Sequence, residues 1–257
     1  KSGANELQLK LESAEVGGVK LVKTYTLKRG DYVVGVRHEV INASGAVVQP
    51  QLYLQLVRDG NPPPGGSSLY STFTGPALFT EASKFKKIEF KSIEKRKPDE
   101  KPEHDTSADN GWVAMVQHYF ASAWLLGASG DERRAREFFT NKIGTNEYSV
   151  GMIVPLGELQ PGVSKTLDAR LFIGPQEENK LSALAPGLEL VKDYGMLKML
   201  SEPLFWLLMQ LHKLIGNWGF AIVALVVLLK VAFYWLNASA YRSMAKMKKL
   251  QPRMLGL

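Results

Sequence analysis

The chain has no cysteine among its 257 residues. That excludes disulfides and thiolate metal sites. It does not fix a redox compartment, because an oxidising one does not oblige a chain to form disulfides. A secretory leader is also missing from the sequence as it stands: KSGANELQLK carries no initiator methionine, basic n-region or apolar h-region. LQPRMLGL closes the chain just after a basic segment, and both ends are expected to be cuts in a longer protein. There is no nucleophile elbow, no phosphate-cradling glycine loop and no metal-ligand spacing. The four histidines are His38, His104, His118 and His212, and no carboxylate stands at a telling spacing from His38 or His118, so these two read as strand or loop residues. No cofactor and no metal are expected, and enzymatic chemistry is not.

Acidic residues are scarce in one place. From Ser201 onward Glu202 is the only acid, against Lys213, Lys230, Arg242, Lys246, Lys248, Lys249 and Arg253. The last 57 residues therefore carry +6 of the net +7, and residues 1–200 carry about +1. A basic surface for nucleic acid would be spread over a folded face, whereas this one is a tail beyond an apolar run, which fits membrane topology and not specific nucleic-acid binding.

What is present is ordinary globular material, 45% apolar and 22% charged, enough to build a core. Residues 1–175 read mostly as strands. Thr24–Asn42 holds two β-rich runs joined by Lys28-Arg29-Gly30-Asp31, a hairpin turn, with Tyr32, Val34, Val36, His38 and Val40 on one face. Gln51–Val57 alternates, Asp59–Ser68 (DGNPPPGGSS) has no regular structure, and Trp112–Leu126, Tyr148–Leu156 and Thr166–Ile173 are further β-rich stretches. Short strands punctuated by glycine and proline predict a mainly β domain, a large antiparallel sandwich. Glu94–Asp105 has nine charged residues in twelve and reads as an exposed, mobile loop.

Leu181–Leu197 is a helical connector broken at Pro186-Gly187. Over 201–215, Ser201 caps a helix with Pro203 in its first turn. Leu204, Leu207, Leu208, Leu211 and Ile215 recur at helical spacing beside a polar face of Gln210 and Lys213. With Phe205 and Trp206 as anchors, this segment predicts an amphipathic helix in the bilayer surface; a buried helix of the soluble domain is the alternative.

Residues 216–236, GNWGFAIVALVVLLKVAFYWL, make a 21-residue apolar run, about 31 Å as a helix at roughly 1.5 Å per residue, which matches the hydrocarbon thickness. Trp218 marks one interface, Tyr234 and Trp235 the other. The basic segment 237–257 lies beyond, so by the positive-inside rule that side is cytoplasmic and residues 1–215 lie outside. Lys230 inside the span costs about 2.5–3.5 kcal/mol at the centre of an isolated helix. Either it snorkels towards the cytoplasmic headgroups or it faces a bundle interior or a hydrated cavity.

DYGML, EPLFWLL, LHKLIGNWGFAIV and YRSMAKMKKLQPRM, in this order and spacing, resemble the YidC membrane protein insertases of Gram-negative bacteria. NGWVAMVQHYFASAWL (Asn110–Leu125) resembles a stretch of that family's periplasmic domain. The resemblance covers essentially the whole chain and implies a first membrane helix, then a periplasmic sandwich similar to galactose mutarotases. An interfacial helix, a second membrane helix, a cytoplasmic hairpin and further membrane helices follow. Residues 1–200 then correspond to the later part of the sandwich with its connector, 201–215 to the interfacial helix, 216–236 to the second membrane helix and 237–257 to the start of the hairpin. The earlier strands and remaining membrane helices would lie outside the chain.

The resemblance further implies a hydrophilic groove, closed to the periplasm, into which a basic residue projects from the second membrane helix. Lys230 falls on that position, and Val226, one turn earlier, lines the same face. The implied role is a non-enzymatic insertase and chaperone of the bacterial inner membrane, with nascent membrane proteins, the Sec translocon, ribosomes and the lipid bilayer as partners. Arg242, Lys246, Lys248, Lys249 and Arg253 would contact ribosome or nascent chain, or only fix topology on anionic lipid. Two departures stand out: Trp235 occupies a place where the family often has proline, and MLGL ends the chain where the family continues into a charged helix. The competing reading is a bitopic protein whose outer β-domain is a sensor or sugar-binding module.

Overall fold

The structure is a computed structural model that describes residues 5–62, 73–127, 133–192 and 198–235, together with the single positions 238, 241 and 244. It divides into two compact units, Lys1–Asp193 and Tyr194–Leu257.

Strands dominate the first unit. In chain order they are β1 (Glu6–Glu12), β2 (Val19–Lys28), β3 (Val33–Asn42), β4 (Gln51–Asp59), β5 (Gly75–Thr80) and β6 (Lys84–Lys87). After helix α1 (Phe90–Lys95) come β7 (Ser107–Ala108), β8 (Trp112–Val116), β9 (Phe120–Leu126), β10 (Arg136–Gly144), β11 (Glu147–Pro155) and β12 (Ser164–Pro175). A short helix α2 (Glu178–Leu184) and a 3-10 turn (Leu188–Val191) close the unit. The hairpin expected over Thr24–Asn42 is β2–β3, with Leu27 opposite Val34 and Asp31 N donating to Lys28 O at 3.2 Å. The Trp112–Leu126 stretch is a second hairpin, closed where Gln117 N donates to Phe120 O at 2.9 Å.

Two antiparallel sheets result. The larger runs β1-β2-β3-β12-β9-β8-β5-β6, and the smaller runs β4-β11-β10-β7. Alternation along the strands explains how they meet. Leu52 and Leu54 of β4 and Val150, Met152 and Val154 of β11 pack against Leu78, Val113, Met115, Leu126, Leu167 and Ala169 of the larger sheet. That interlayer is the main core of an antiparallel sandwich, the expected fold class.

The larger sheet is buried on its other face as well. Trp112, Ala114 and Val116 alternate with Val113 and Met115, so β8 is covered on both sides. Their cover is the connector: Leu181, Ala185, Leu188 and Val191 are buried against Phe79, Trp112, Leu125 and Phe172. Pro186-Gly187, expected as a break, is the point of closest approach. Trp112 Nε1 donates to Pro186 O at 2.9 Å. The Trp112 ring stacks on Phe79 with centroids 5.7 Å apart, and Phe79 in turn fills the space a Cβ at Gly187 would need. Gly187 also holds φ +75°, so a side chain there is refused twice.

Among the described residues one surface lacks such cover: the larger sheet has eight strands there and the smaller four, and β1 lies at the far edge of the larger. Its alternate residues Leu7, Leu9 and Leu11 are 64, 51 and 50% exposed. Leu27, opposite Leu7 on β2, is exposed too.

The charged run Glu94–Asp105 departs from the expected loose loop. Its tips are exposed, yet it is pinned to β10. Arg96 donates to Thr140 Oγ1 at 3.0 Å and also to the Thr140 carbonyl, and His104 is buried. Arg136, also buried, satisfies its guanidinium with the carbonyls of Gly111 (2.7 Å), Arg134 (3.0 Å) and Asp109 (3.2 Å).

In the second unit, α3 (Lys198–Ile215) begins three residues before the expected start at Ser201, and α4 (Trp218–Ala232) is shorter than the expected 216–236 span. Among the described residues no helix is long and apolar enough to cross a membrane. Regular helix stops at Phe233 (φ −94°, ψ 8°), and Tyr234 and Trp235 are helical again. Leu236 and the segment 237–257 lie outside the described residues, apart from the three single positions.

Trp112 is the test of the connector's attachment. Trp112→Phe keeps the ring but orphans the Pro186 carbonyl and is expected to lower stability by about 1–3 kcal/mol; Trp112→Ala, which also opens a cavity, is expected to cost about 3–5 kcal/mol. Denaturant melts followed by near-ultraviolet circular dichroism give both values, and a Trp112→Phe variant as stable as wild type would remove the hydrogen bond from the account.

Candidate functional site

Of the residues singled out for the membrane, Trp206 lies on α3, Trp218, Val226 and Lys230 lie on α4, and Tyr234 and Trp235 follow α4; two positions, Gly216 and Asn217, separate the helices. Gly216 takes φ +72° and its N–H donates to His212 O at 2.8 Å, ending α3 in a left-handed turn. Asn217 then starts α4: its Oδ1 accepts from Gly219 N at 2.8 Å and Phe220 N at 3.3 Å. The cap explains why α4 begins at Trp218 and not at Gly216. Across the corner the His212 and Trp218 rings stack, with centroids 3.8 Å apart and planes 16° from parallel.

Burial sorts the faces of the two helices. On α4, Ala221 is fully buried and Ala224, Leu225 and Leu229 are half-buried, one stripe at helical spacing. On α3 the half-buried stripe is Leu204, Leu207, Leu208 and Leu211. The apolar stripe expected to lie in the bilayer is therefore used against α4. Trp206, 63% exposed, stands on the opposite side of α3 with the exposed Gln210 and Lys213.

Val226 and Lys230, four residues apart, share the exposed face of α4 turned away from the Ala221 stripe. Lys230 is also in the last turn of α4, where the negative end of the helix dipole favours a cation. The helix end was not legible in an unbroken apolar run. Trp218, Tyr234 and Trp235 are exposed. Arg242, Lys246, Lys248, Lys249 and Arg253 lie outside the described residues. The Gly216-Asn217 corner was missed, although asparagine directly before an apolar periodic run is a recognisable start signal.

The histidines occupy unlike surroundings. His118 is at the tip of the β8–β9 hairpin, edge-on to Tyr119. His38, 1% exposed on β3, has no hydrogen-bond partner for Nδ1 among the described residues, and its ring lies 6.5 Å from that of Trp124. Burial, and after it the Lys23 ammonium, push its pKa down to about 4. His104 is held at both nitrogens. Nδ1–H donates to Asp105 O at 2.7 Å, which leaves Nε2 to accept from the Thr140 hydroxyl at 3.0 Å. Burial depresses this pKa as well, and the Arg96 guanidinium adds to the effect. A cavity of about 210 Å³ beside it is lined by Ile88, Ile93, Lys95, Arg96 and Lys101. Among the described residues no group of three or more His, Asp or Glu side chains is placed to hold a metal ion.

Residues 1–207 match the sequence profile of the family described as "YidC periplasmic domain". The chain belongs to the YidC family. Residues 210–257 match a second profile, described as "60Kd inner membrane protein", so the β unit is the periplasmic domain of an inner-membrane protein. The relatives are close. A membrane protein insertase YidC of Janthinobacterium sp. (strain Marseille) is 52% identical over 250 residues, 97% of this chain and 43% of that protein. The YidC insertase of Cupriavidus necator is 53% identical over 255 residues, 99% of this chain and 44% of that protein. The chain thus spans less than half the length of the curated relatives it matches. Among solved structures it is similar to a galactose mutarotase related enzyme from Lactobacillus acidophilus, with TM-score 0.40 and 9% identity over 66% of this chain and 68% of that one. It is also similar to the α-galactosidase AgaA from Geobacillus stearothermophilus, with TM-score 0.41 and 9% identity over 70% of this chain and 25% of that one.

The buried histidines make the YidC-family β unit sensitive to acid in a calculable direction. Both are held neutral in the folded chain while an unfolded histidine protonates below about 6.5, so the unfolded state binds more protons and stability falls as pH drops below that value. For His38 the fall continues to about pH 4 and amounts to about 3 kcal/mol. The difference in melting midpoint between wild type and His38→Gln is expected to change between pH 7 and pH 4.5, the variant losing less; a difference constant with pH would show that His38 titrates normally.

Proposed function

We propose that the chain is part of a membrane protein insertase and chaperone that moves nascent proteins into the bacterial inner membrane, alone or with the Sec translocon. The observation that carries this reading is the placement of Val226 and Lys230 together on the face of α4 turned away from α3, in a chain whose relatives are named insertases. A lysine on that face, with a small apolar residue one turn before it, suits the wall of a hydrated groove formed with helices of the complete protein. There the ammonium attracts acidic residues of a hydrophilic substrate tail. The attraction is stronger than in bulk water because the surroundings have low dielectric. The tail is drawn partway in, and apolar segments then leave sideways into lipid.

The reading needs no nucleotide, metal or covalent step. It makes α4 the core of the second membrane helix. Trp218 would mark the periplasmic interface, Tyr234 and Trp235 the cytoplasmic one, and Trp206 would add a contact at the outer surface. Arg242, Lys246, Lys248, Lys249 and Arg253 would hold the cytoplasmic side by charge and offer a contact to ribosome or nascent chain. Residues 1–200 would be part of a larger sandwich: the uncovered leucines of β1 form an apolar edge that further strands of the parent protein would cover.

In the full-length parent, Lys230→Glu is expected to slow insertion of substrates with acidic translocated tails by about tenfold and neutral-tailed ones by less than about twofold. Equal slowing would count against electrostatic attraction. A photo-crosslinker at Val226 is expected to capture a ribosome-stalled membrane protein in a manner that tracks nascent-chain length; no capture, with a working control on a neighbouring helix, would take α4 out of the substrate path. A cysteine at Ser239 is expected to react with an impermeant reagent only after the inner membrane is opened, and reaction from outside would reverse the topology.

A further inference from the structure

Four independent features meet between α3 and α4. Gly216 ends α3 with a left-handed residue, Asn217 caps α4 through two backbone N–H groups, His212 and Trp218 stack across the corner, and Ala221, one turn into α4, is fully buried. Each does something different. The glycine permits the reversal, the cap fixes where α4 starts, and the small side chain at 221 permits close approach of the half-buried α3 stripe. None of these three resists a change of angle between the helices. The stack does, because opening the corner separates two rings 3.8 Å apart.

We infer that His212 and Trp218 are positioning residues that lock the α3–α4 corner, so that the surface helix and the helix bearing Lys230 move as one rigid body during insertion. The inference rests on the insertase reading for its functional half only. Without the lock, α4 would tilt and rotate independently of α3, and the Val226–Lys230 face would lose a fixed direction towards the substrate. An aromatic stack of this kind biases a two-state equilibrium by about two- to tenfold, so its loss unlocks the corner partially and does not unfold the helices.

The experiment uses the full-length parent in lipid nanodiscs, spin-labelled at cysteines replacing the exposed Gln210 on α3 and Val227 on α4. Wild type is expected to give one narrow interlabel distance distribution. His212→Ala is expected to broaden it and to slow insertion by about two- to tenfold, and His212→Phe, which keeps a flat ring, to restore both. An unchanged width in His212→Ala overturns the lock whatever the insertion rate. A broadened width with unchanged insertion overturns its functional role. A narrow wild-type distribution in a parent that inserts no substrate at all overturns the insertase reading instead and leaves the lock standing. Should His212→Ala fail to accumulate, Trp218→Leu against Trp218→Phe poses the same comparison from the other ring of the stack.

Discussion

The periplasmic unit depends on the burial of both faces of β8. An interior strand covered on one side only would leave Trp112, Ala114 and Val116 facing water, and a sheet eight strands wide would have its broad outer face bare. The smaller sheet cannot reach that face. The connector does, with Leu181, Ala185, Leu188 and Val191 buried against it. Its backbone can come so close only because Pro186 offers a carbonyl to the Trp112 indole and Gly187 offers no side chain to Phe79. Burial of this kind, at about 25 cal/mol per Å² of apolar surface, turns what reads as a linker into part of the sandwich.

The attachment continues to the end of the connector, where Val191 is buried against the sheet. Lys192 is itself tied back by a 3.4 Å ion pair to Glu178, and α2 ends where Arg170 of β12 donates to the Leu184 carbonyl at 2.8 Å.

How much of this the sequence disclosed depended on whether burial followed the usual polarity rules. β4 alternates cleanly, and β2, β3, β11 and β12 are rich in β-branched and other apolar residues between turn signals, so these five were legible. β10 was not, because its buried residues include Arg136 and Thr140, which read as surface. The arginine is tolerated inside because three carbonyls accept from it. β5 was hidden for a different reason: it opens with Gly75-Pro76, a loop signal, and buries all six residues. The charged run to Asp105 was misread since nine charges in twelve say nothing of the one histidine that turns inward. In the helical unit, apolar composition marked out 216–236 as one run but not its internal punctuation. The corner at Gly216-Asn217 and the end of regular helix at Phe233 are backbone events that hydropathy does not register.

The end of α4 changes the energetic question about Lys230. A lysine midway along an unbroken helix faces the full insertion cost, about 2.5–3.5 kcal/mol at the bilayer centre. In the last turn, the negative end of the helix dipole returns about 0.3–1 kcal/mol, and the stem can lean towards the next interface. These offsets act on any lysine placed there and leave a remainder of about 2 kcal/mol. Ala221, Ala224, Leu225 and Leu229 turn towards α3, so α3 cannot supply a counter-charge to the opposite face. On the insertase reading proposed above, the remainder would be met by water or by polar groups brought from elsewhere in the complete protein. A hydrated groove would supply both, on the face of α4 where a substrate could reach the charge without displacing α3, which is the condition electrostatic recruitment requires.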